Sequence, residues 1–284
     1  MAPLSWQLGD VRITRIQEIE ESGLEWVVSQ ASPENLRTIP WLAPHFVDDD
    51  WEARLSIHAL VVETPQQRIV VDTCVGNGKD LQIIKQWHMR EGPFLEHLEG
   101  AGFARDSIDT VLCTHLHVDH VGWNTIRQGD RWVPTFPNAD YLIAADEWNH
   151  WQGEDEGFNA TVLAESVHPI FDADLAKLVP STHRVCDEVW LEPTPGHTPG
   201  HVSIRIASRG EEAVITGDMI HHPCQIAQPG WGSQADSDFD QGVRTREAFL
   251  ERYADGPVLV IGTHFAGPSA GRIVRDGKVF RLDT

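Results

Sequence analysis

Short apolar runs alternate with amphipathic stretches along the whole chain. The runs predict strands at Leu4–Leu8, Val11–Glu18, Ser56–Glu63, Arg68–Asp72, Thr110–Thr114, Tyr141–Ala144, Val189–Pro193, Val202–Ala207, Ala213–Thr216 and Val258–Ile261, and a terminal hairpin of Arg272–Arg275 with Lys278–Leu282. Helical spacing predicts helices at Asp80–Arg90, Pro93–Gly100, Ala145–Trp151, Asn159–His168, Asp172–Leu178 and Thr245–Tyr253. Because both types of element occur in both halves, we expect an α/β fold of two sheets covered by helices on their outer faces.

The pattern contains no linker, low-complexity tract or clear repeat, so we expect residues 1–284 to form a single domain. Residues 23–54 are irregular, rich in Trp, Pro and Asp, and too long for a simple connection. We expect this extended N-terminal segment to form either a dimer contact or a pocket wall. The first alternative predicts a homodimer.

Composition narrows the classes of partner. Lys and Arg number 22 against 43 Asp and Glu, and the formal charge of -21 argues against nucleic acid binding. No apolar run approaches the roughly 18 residues of a membrane helix, and the N-terminus does not resemble a signal peptide. Four scattered cysteines indicate reduced thiols, and we expect a cytoplasmic protein without membrane contact.

The densest chemical signal follows the predicted strand Thr110–Thr114. His115, His117, Asp119 and His120 fall within six residues, and packing alone does not require such a cluster. His115 and His117 are two residues apart, so their side chains leave an extended backbone on the same side. Imidazole and carboxylate groups at this density predict a transition-metal site.

Other apolar strands also end in histidine or aspartate. His197 stands in a turn with Gly and Pro on both sides, Asp218 follows Thr216-Gly217, and His264 follows Gly262-Thr263. His201 begins the next strand, which favours a supporting role for it rather than metal binding. If the strand ends converge, five histidines and two aspartates are enough to hold two metals with open positions.

Together these motifs resemble the metallo-β-lactamase-fold hydrolase superfamily from about residue 56 to the C-terminus. The resemblance rests on Asp72, the His-x-His-x-Asp-His motif, Gly-His197, Gly-Asp218 and Thr-His264. It implies a four-layer αβ/βα sandwich of two mixed sheets with the site at one edge.

The resemblance also implies a division of roles among these residues. His115, His117 and His197 would bind the first metal, Asp119, His120 and His264 the second, and Asp218 would bridge them. Asp72 would orient a ligand histidine. The two divalent ions would be zinc, with manganese, iron or cobalt as alternatives that a mixed His/Asp site accepts.

Within the superfamily, the sequence Val-Asp-Thr-Cys-Val-Gly-Asn around Asp72 and the long N-terminal segment resemble those of the branch that contains N-acyl homoserine lactonases and methyl parathion hydrolases. Asp218 argues against a true β-lactamase, which lacks that bridge. The lactonases have a tyrosine three residues after the bridging aspartate, whereas this chain has His221. The resemblance therefore does not by itself imply homoserine lactone specificity, and His221 is a candidate hydrogen-bond donor to the substrate.

We expect a metal-dependent hydrolase in which a bridging hydroxide opens a small apolar lactone or ester and Asp119 moves the proton. Hydrolysis of a phosphotriester is the closest alternative, because a Trp-rich pocket suits an aryl leaving group. Thioester hydrolysis is a weaker one, since it needs basic residues to hold glutathione and the chain is poor in them. Purely structural metals are disfavoured, because structural zinc sites are usually closed and rich in cysteine.

Overall fold

The computed structural model describes residues 3–23, 25–154 and 156–284. The chain divides into two compact units, which we call the N-terminal unit (residues 1–18 and 57–180) and the C-terminal unit (residues 19–56 and 181–284). The expectation of a single domain over residues 1–284 stays a prediction.

The strands of the described residues agree closely with the apolar runs at all but three places, where the sequence predicts no strand. They are β1 Ser5–Leu8, β2 Val11–Ser22, β3 Arg54–Glu63, β4 Arg68–Val71, β5 Thr110–Leu112, β6 Thr125–Gln128, β7 Arg131–Pro134, β8 Asp140–Ala144, β9 Ala176–Val179, β10 Val189–Pro193, β11 Val202–Ser208, β12 Glu211–Ile215, β13 Leu259–Ile261, β14 Ala270–Asp276 and β15 Val279–Asp283. Two large sheets have the orders β1-β2-β3-β4-β5-β8-β9 and β10-β11-β12-β13-β14-β15, and β6 with β7 forms a separate hairpin. Both large sheets mix parallel and antiparallel pairs, as the predicted fold class requires.

The parallel strands of the first sheet bring three chain segments to one edge. β4, β5 and β8 are parallel neighbours, with Val71 opposite Leu112 and Leu112 opposite Leu142. Their carboxyl ends therefore lie side by side, which is the usual place for function in such sheets. Asp72 follows β4, the histidine-rich loop follows β5, and a helix follows β8.

The second sheet gathers its segments in a different way. β12 and β13 are parallel, so the turns after Ile215 and Ile261 lie at the same edge. β11 runs antiparallel to both β10 and β12, so its first residue Val202 and the end of β10 at Pro193 lie at that edge too. The turn with His197 joins β10 to β11 at this edge.

The helices are α1 Pro33–Leu36, α2 Phe94–Gly100, α3 Val118–Val121, α4 Ala145–Trp151, α5 Gly157–Ser166, α6 His168–Asp172, α7 Cys224–Ala227 and α8 Phe239–Tyr253. The predicted helix Asp80–Arg90 is wrong, since this stretch forms successive turns. The carbonyl of Lys79 accepts hydrogen bonds from the backbone N–H groups of both Leu81 and Met89, which closes the stretch into a loop. None of the described helices is long and apolar enough to cross a membrane.

The predicted helix Asp172–Leu178 is also wrong, because Ala176–Val179 is the edge strand β9, paired in parallel with β8. The strand forms through long-range pairing, which helical spacing in the sequence cannot register. The predicted helix Asn159–His168 is observed as α5 and α6 with a break at Val167, just before Pro169. Proline at that position begins a new helix more easily than it continues one.

The extended N-terminal segment is partly built into the core of the C-terminal unit. Val28, Leu36, Leu42 and Phe46 are buried there in one cluster with residues of α7, α8 and β13–β15. Each fully buried large apolar side chain contributes roughly 1.5–3 kcal/mol. A role for residues 23–54 as a dimer contact or pocket wall stays a prediction.

Candidate metal centre

The loop after β5 brings three imidazoles and a carboxylate together in the N-terminal unit. The His115 Nε2 and His117 Nδ1 atoms are 3.0 Å apart, and the ring centroids of His115 and His120 are 4.0 Å apart. Asp119 and His120 lie on the short helix α3, with the Asp119 Oδ1 atom 3.7 Å from the His120 Nε2 atom. All four predicted ligands of this loop are therefore close neighbours.

Asp72 orients two of these histidines at once. Its carboxylate accepts hydrogen bonds from the His120 Nδ1–H at 2.9 Å and from the backbone N–H of Thr114 at 2.8 Å. It also accepts the Thr114 hydroxyl at 2.9 Å. Because that hydroxyl donates to Asp72, its oxygen accepts from the His115 Nδ1–H at 3.1 Å. The supporting role predicted for Asp72 agrees with these contacts and reaches both His120 and His115.

The loop that carries Asp72 lies directly against the chain after His120. The Thr73 N–H donates to the His120 carbonyl at 2.7 Å, and the Gly122 N–H donates to the Cys74 carbonyl at 2.7 Å. A Cβ at Gly122 would lie 1.8 Å from the Val75 carbonyl oxygen, so only glycine permits this close approach. Asp72 and Cys74 themselves have φ values of 55° and 53°, in the left-handed region.

Glu18 of β2 holds the same loop from another direction. Its buried carboxylate accepts from the backbone N–H groups of Val75 and Gly76, from the Arg90 guanidinium and from the Trp123 indole, at 2.7–3.2 Å. Burial raises the pKa of Glu18, while the Arg90 charge and these hydrogen bonds act in the opposite direction. Glu18 was not predicted, because nothing in its local sequence marks it.

Asp218 is at the centre of the second group, in the C-terminal unit. Its carboxylate oxygens lie 3.0 Å from the His264 Nε2 atom, 3.5 Å from the His197 Nε2 atom and 3.4 Å from the His221 Nε2 atom. All four side chains are buried. One ligand atom from each of His197, Asp218 and His221 lies within 4.8 Å of the others, which is close enough to hold one metal ion.

Each member of the second group has its own support. Asp236 accepts from the His197 Nδ1–H at 2.9 Å, and the Ser56 carbonyl accepts from the His264 Nδ1–H at 3.2 Å. A Cβ at Gly196, just before His197, would lie 2.3 Å from the Gly242 backbone nitrogen, so this turn also requires glycine.

His201 supports the backbone of Asp218, in agreement with the supporting role expected for it. Its Nε2 atom accepts from the Asp218 N–H at 2.9 Å, so its Nδ1 carries the proton and donates to the Thr194 carbonyl at 3.1 Å. Arg246 of α8 fixes the same turn, because its Nε–H donates to the Met219 carbonyl at 2.9 Å.

The two adjacent histidines after Asp218 have different surroundings. The His221 backbone N–H donates to Gln225 Oε1 at 2.7 Å, and within the described ranges its buried Nδ1 atom has no hydrogen-bond partner. The His222 Nε2–H donates to the Phe46 carbonyl at 2.8 Å, and its Nδ1 accepts from the Cys224 N–H at 3.1 Å. Burial lowers the pKa of His222 to about 4, so it is a neutral core histidine.

The donor types in both groups fit divalent transition metals. Imidazole nitrogens and carboxylate oxygens converge at 3.0–3.7 Å, and in each group a carboxylate orients a histidine by hydrogen bonding to its Nδ1. This carboxylate–histidine arrangement is the usual second layer of protein metal sites. Sequence reasoning found the ligand candidates and Asp72, but it missed Asp236, Gln225 and Arg246, which have no local sequence signal.

Comparison with known proteins identifies the family. Residues 53–264 match the family model described as the metallo-beta-lactamase superfamily. An N-acyl homoserine lactonase from Bacillus cereus is 24% identical over 57% of this chain and 62% of its own length. The lactonase AiiA from Bacillus thuringiensis subsp. kurstaki is 23% identical over the same shares. The match thus spans less than two thirds of these curated relatives.

Solved structures extend the similarity over nearly the whole chain. The hydrolase AbOPH, described as belonging to the beta lactamase superfamily, has a TM-score of 0.81 at 24% identity and covers 100% of this chain and 98% of its own. AidC, described as a dizinc quorum-quenching lactonase, has a TM-score of 0.78 at 23% identity, with coverage of 99% and 96%. These similarities confirm the predicted αβ/βα fold class. The chain belongs to the metallo-beta-lactamase superfamily.

Proposed function

We propose that this protein is a binuclear metal-dependent hydrolase that opens a lactone or another carboxylic ester. The observation that carries the proposal is the place of Asp218, whose carboxylate lies within 3.5 Å of the Nε2 atoms of three buried histidines. A carboxylate so surrounded suits a bridge between two cations. The family and the curated lactonase relatives support the same reaction class.

We propose for two divalent ions the ligand assignment that the sequence motifs imply. In this assignment His115, His117 and His197 would hold the first ion, Asp119, His120 and His264 would hold the second, and Asp218 would be shared by both. We propose zinc, which the description of AidC as a dizinc enzyme supports; manganese, iron and cobalt suit the same donors. When bound, such a pair of cations makes hydroxide available near neutral pH and polarises a carbonyl.

The protein residues handle protons and orient the substrate. Asp119 is half-buried, whereas its neighbour His120 is fully buried, so its carboxylate is the better placed to exchange a proton with the reacting group. His221 follows the bridge by three residues, and its buried Nδ1 atom has no hydrogen-bond partner among the residues that the structure describes. We propose that His221 donates a hydrogen bond to the substrate carbonyl, where the lactonases use tyrosine.

A panel of substrates tests this function on protein whose metal content has been measured by elemental analysis. The panel contains acyl homoserine lactones of two chain lengths, an unsubstituted δ-lactone, a nitrophenyl ester, a nitrophenyl phosphotriester and a glutathione thioester. We expect two metals per chain and a kcat/KM for a lactone or carboxylic ester at least tenfold above that for the phosphotriester.

The Asp119→Asn variant controls for contaminating hydrolases, because we expect it to lose most of the turnover while remaining folded. A phosphotriester as the best substrate would instead support the alternative reading of this chain. Fully metallated protein that hydrolyses no member of the panel would reject the proposal.

A further inference from the structure

A buried carboxylate on α4 contacts the backbone between two candidate ligands. Glu147 is 1% exposed, and its Oε1 atom accepts the backbone N–H of Leu116 at 3.0 Å. Leu116 is the residue between His115 and His117. Burying a carboxylate is costly unless its hydrogen bonds are satisfied, so a buried glutamate at this position needs a reason.

Trp151 joins this contact from one helical turn further along α4. Its Nε1–H donates to the same Glu147 Oε1 atom at 2.6 Å. Its ring packs edge-on against His117, with centroids 5.4 Å apart and planes at 77°. Residues four apart lie on the same face of a helix, so α4 presents both side chains to the same loop.

The two contacts act on different degrees of freedom. The hydrogen bond to Leu116 fixes the peptide that sets the directions in which the His115 and His117 side chains leave the chain. The Trp151 ring limits rotation of the His117 imidazole. Because metal affinity depends on preformed ligand directions, both contacts can raise it without touching the ion.

We propose that Glu147 and Trp151 are positioning residues for the His115–His117 pair and thereby set the affinity of the first metal. The inference rests on the proposed function only in assigning a metal to these histidines. Asp72 already orients the His115 and His120 rings through their Nδ1 atoms, whereas Glu147 and Trp151 act on the backbone and on His117.

The test measures metal binding rather than turnover. We expect Glu147→Ala to weaken binding of the first metal by roughly 10- to 100-fold, the usual cost of losing a supporting partner. Affinity is measured by competition with a chromogenic chelator, and the ligand geometry is followed by the visible spectrum of the Co²⁺-substituted protein. The Asp146→Ala variant is the matched control, since Asp146 is the exposed neighbour of Glu147 on α4, and we expect it to bind metal as the wild type does.

Two further variants separate positioning from general loss of structure. Glu147→Gln keeps an oxygen acceptor for Leu116, so we expect it to restore most of the affinity lost in Glu147→Ala. Trp151→Leu removes the ring beside His117, so it should weaken binding of the first metal and shift the Co²⁺ spectrum. This variant tests the proposal even if Glu147→Ala fails to fold.

The outcomes also separate this inference from the proposed function. Wild-type affinity and an unchanged spectrum in folded Glu147→Ala, or in Trp151→Leu if the former does not fold, would overturn the positioning role. Wild-type protein that binds two metals but hydrolyses no panel substrate would contradict the proposed function. It would leave the positioning role intact, because the metal affinities are measured without substrate.

Discussion

The two ligand groups are built from the same kinds of side chain but are distributed differently along the chain. In the N-terminal unit, His115, His117, Asp119 and His120 come from one loop of six residues. In the C-terminal unit, the ligand candidates come from three separate turns after β10, β12 and β13. The first group is therefore local in sequence and the second is assembled by the sheet.

This difference determines how the ligands are supported. In the local group, Asp72 serves two histidines, His120 directly and His115 through Thr114. In the assembled group, His197 depends on Asp236 and His264 depends on the Ser56 carbonyl. Ligands that are close in sequence can share a support, whereas ligands from separate turns need one each.

Both groups nevertheless use one further device. In each group a buried side chain accepts a hydrogen bond from a backbone N–H close to the ligands. Glu147 accepts the N–H of Leu116, which lies between two candidate ligands, and His201 accepts the N–H of Asp218, which is itself one. Fixing a peptide orients the side chains on both sides of it. The assembled group thus resembles the local one at the level of single contacts, although its supports are spread over more of the chain.

The comparison makes Asp218 the most sensitive position, because it is the shared neighbour of all three histidines in the assembled group. We expect Asp218→Asn to lower turnover by more than about 100-fold and to reduce the metal content, since an amide is a poor bridging ligand. Elemental analysis and kcat on the best panel substrate measure both effects.

Asp276→Asn is the matched control, since Asp276 is an exposed aspartate in the β14–β15 hairpin of the same unit. It should leave turnover and metal content unchanged. Two tightly held metals and near wild-type turnover in Asp218→Asn would show that the assembled group does not depend on a bridge.

Shared and separate support can be compared directly with Asp72→Asn and Asp236→Asn. We expect each to cost roughly 10- to 100-fold in metal affinity. Asp72→Asn should have the larger effect and should weaken the binding of both metals, because it disturbs both His115 and His120. Asp236→Asn should weaken only the binding of the metal that His197 holds. Asparagine tolerates the left-handed backbone at position 72, so that substitution adds little strain.

Stepwise chelator titration, which resolves the two affinities, measures this contrast. Equal losses at both metals in the two variants would mean that the supports are not divided between the groups as their hydrogen bonds suggest. A larger loss in Asp236→Asn than in Asp72→Asn would reverse the comparison.

The same difference explains what could be predicted from the sequence. The local group was visible because its ligands are neighbours in the chain. His197, Asp218 and His264 were visible only as a set, since each follows an apolar run that could be identified as a strand. Asp236 could not be found, because its position relative to His197 depends on how residues 228–238 fold, with the Ser233 N–H donating to Asp236 Oδ2.

Errors in the predicted fold have a similar cause. The sequence predicts strands in the sheet interiors to within two residues at either end, because their apolar runs carry the signal. The exception is β2, which extends to Ser22, four residues beyond its predicted end at Glu18. The sequence predicts a helix over the edge strand Ala176–Val179, because the burial of this strand is low and its pairing with β8 is long-range. Low burial also explains why the sequence does not predict the β6–β7 hairpin, since most of its residues are not buried.

A last prediction separates the stability of the N-terminal unit from the geometry of its ligand loop. The Lys79 Nζ atom is buried, donates to the Thr125 hydroxyl at 2.6 Å and to the Glu165 carbonyl at 3.1 Å, and lies 3.6 Å from the centre of the Trp132 ring. Burial lowers the pKa of Lys79 to about 7, against which the Glu165 charge acts only partly. Its usual value of 10.5 applies in the unfolded chain.

Between pH 7 and 10.5 the unfolded chain therefore holds a proton on Lys79 that the folded protein lacks, so stability rises with pH over this window and is independent of this group below it. Relative to Lys79→Met, the free energy of unfolding of the wild type should increase by about 2 kcal/mol from pH 7 to 9. Urea unfolding of chelator-treated protein measures this difference, and the comparison of two chains cancels the contributions of the buried thiols. Metal affinity at pH 7 should be the same in both proteins, because the hydrogen bonds of the Lys79 ammonium in the described part of the chain go to Thr125 and Glu165, and neither is a candidate ligand or supports one. If the free energy of unfolding has the same pH dependence in the two proteins, Lys79 stays charged in the folded protein. If Lys79→Met loses metal affinity, the ligand loop depends on the stability of the whole unit rather than on its own contacts.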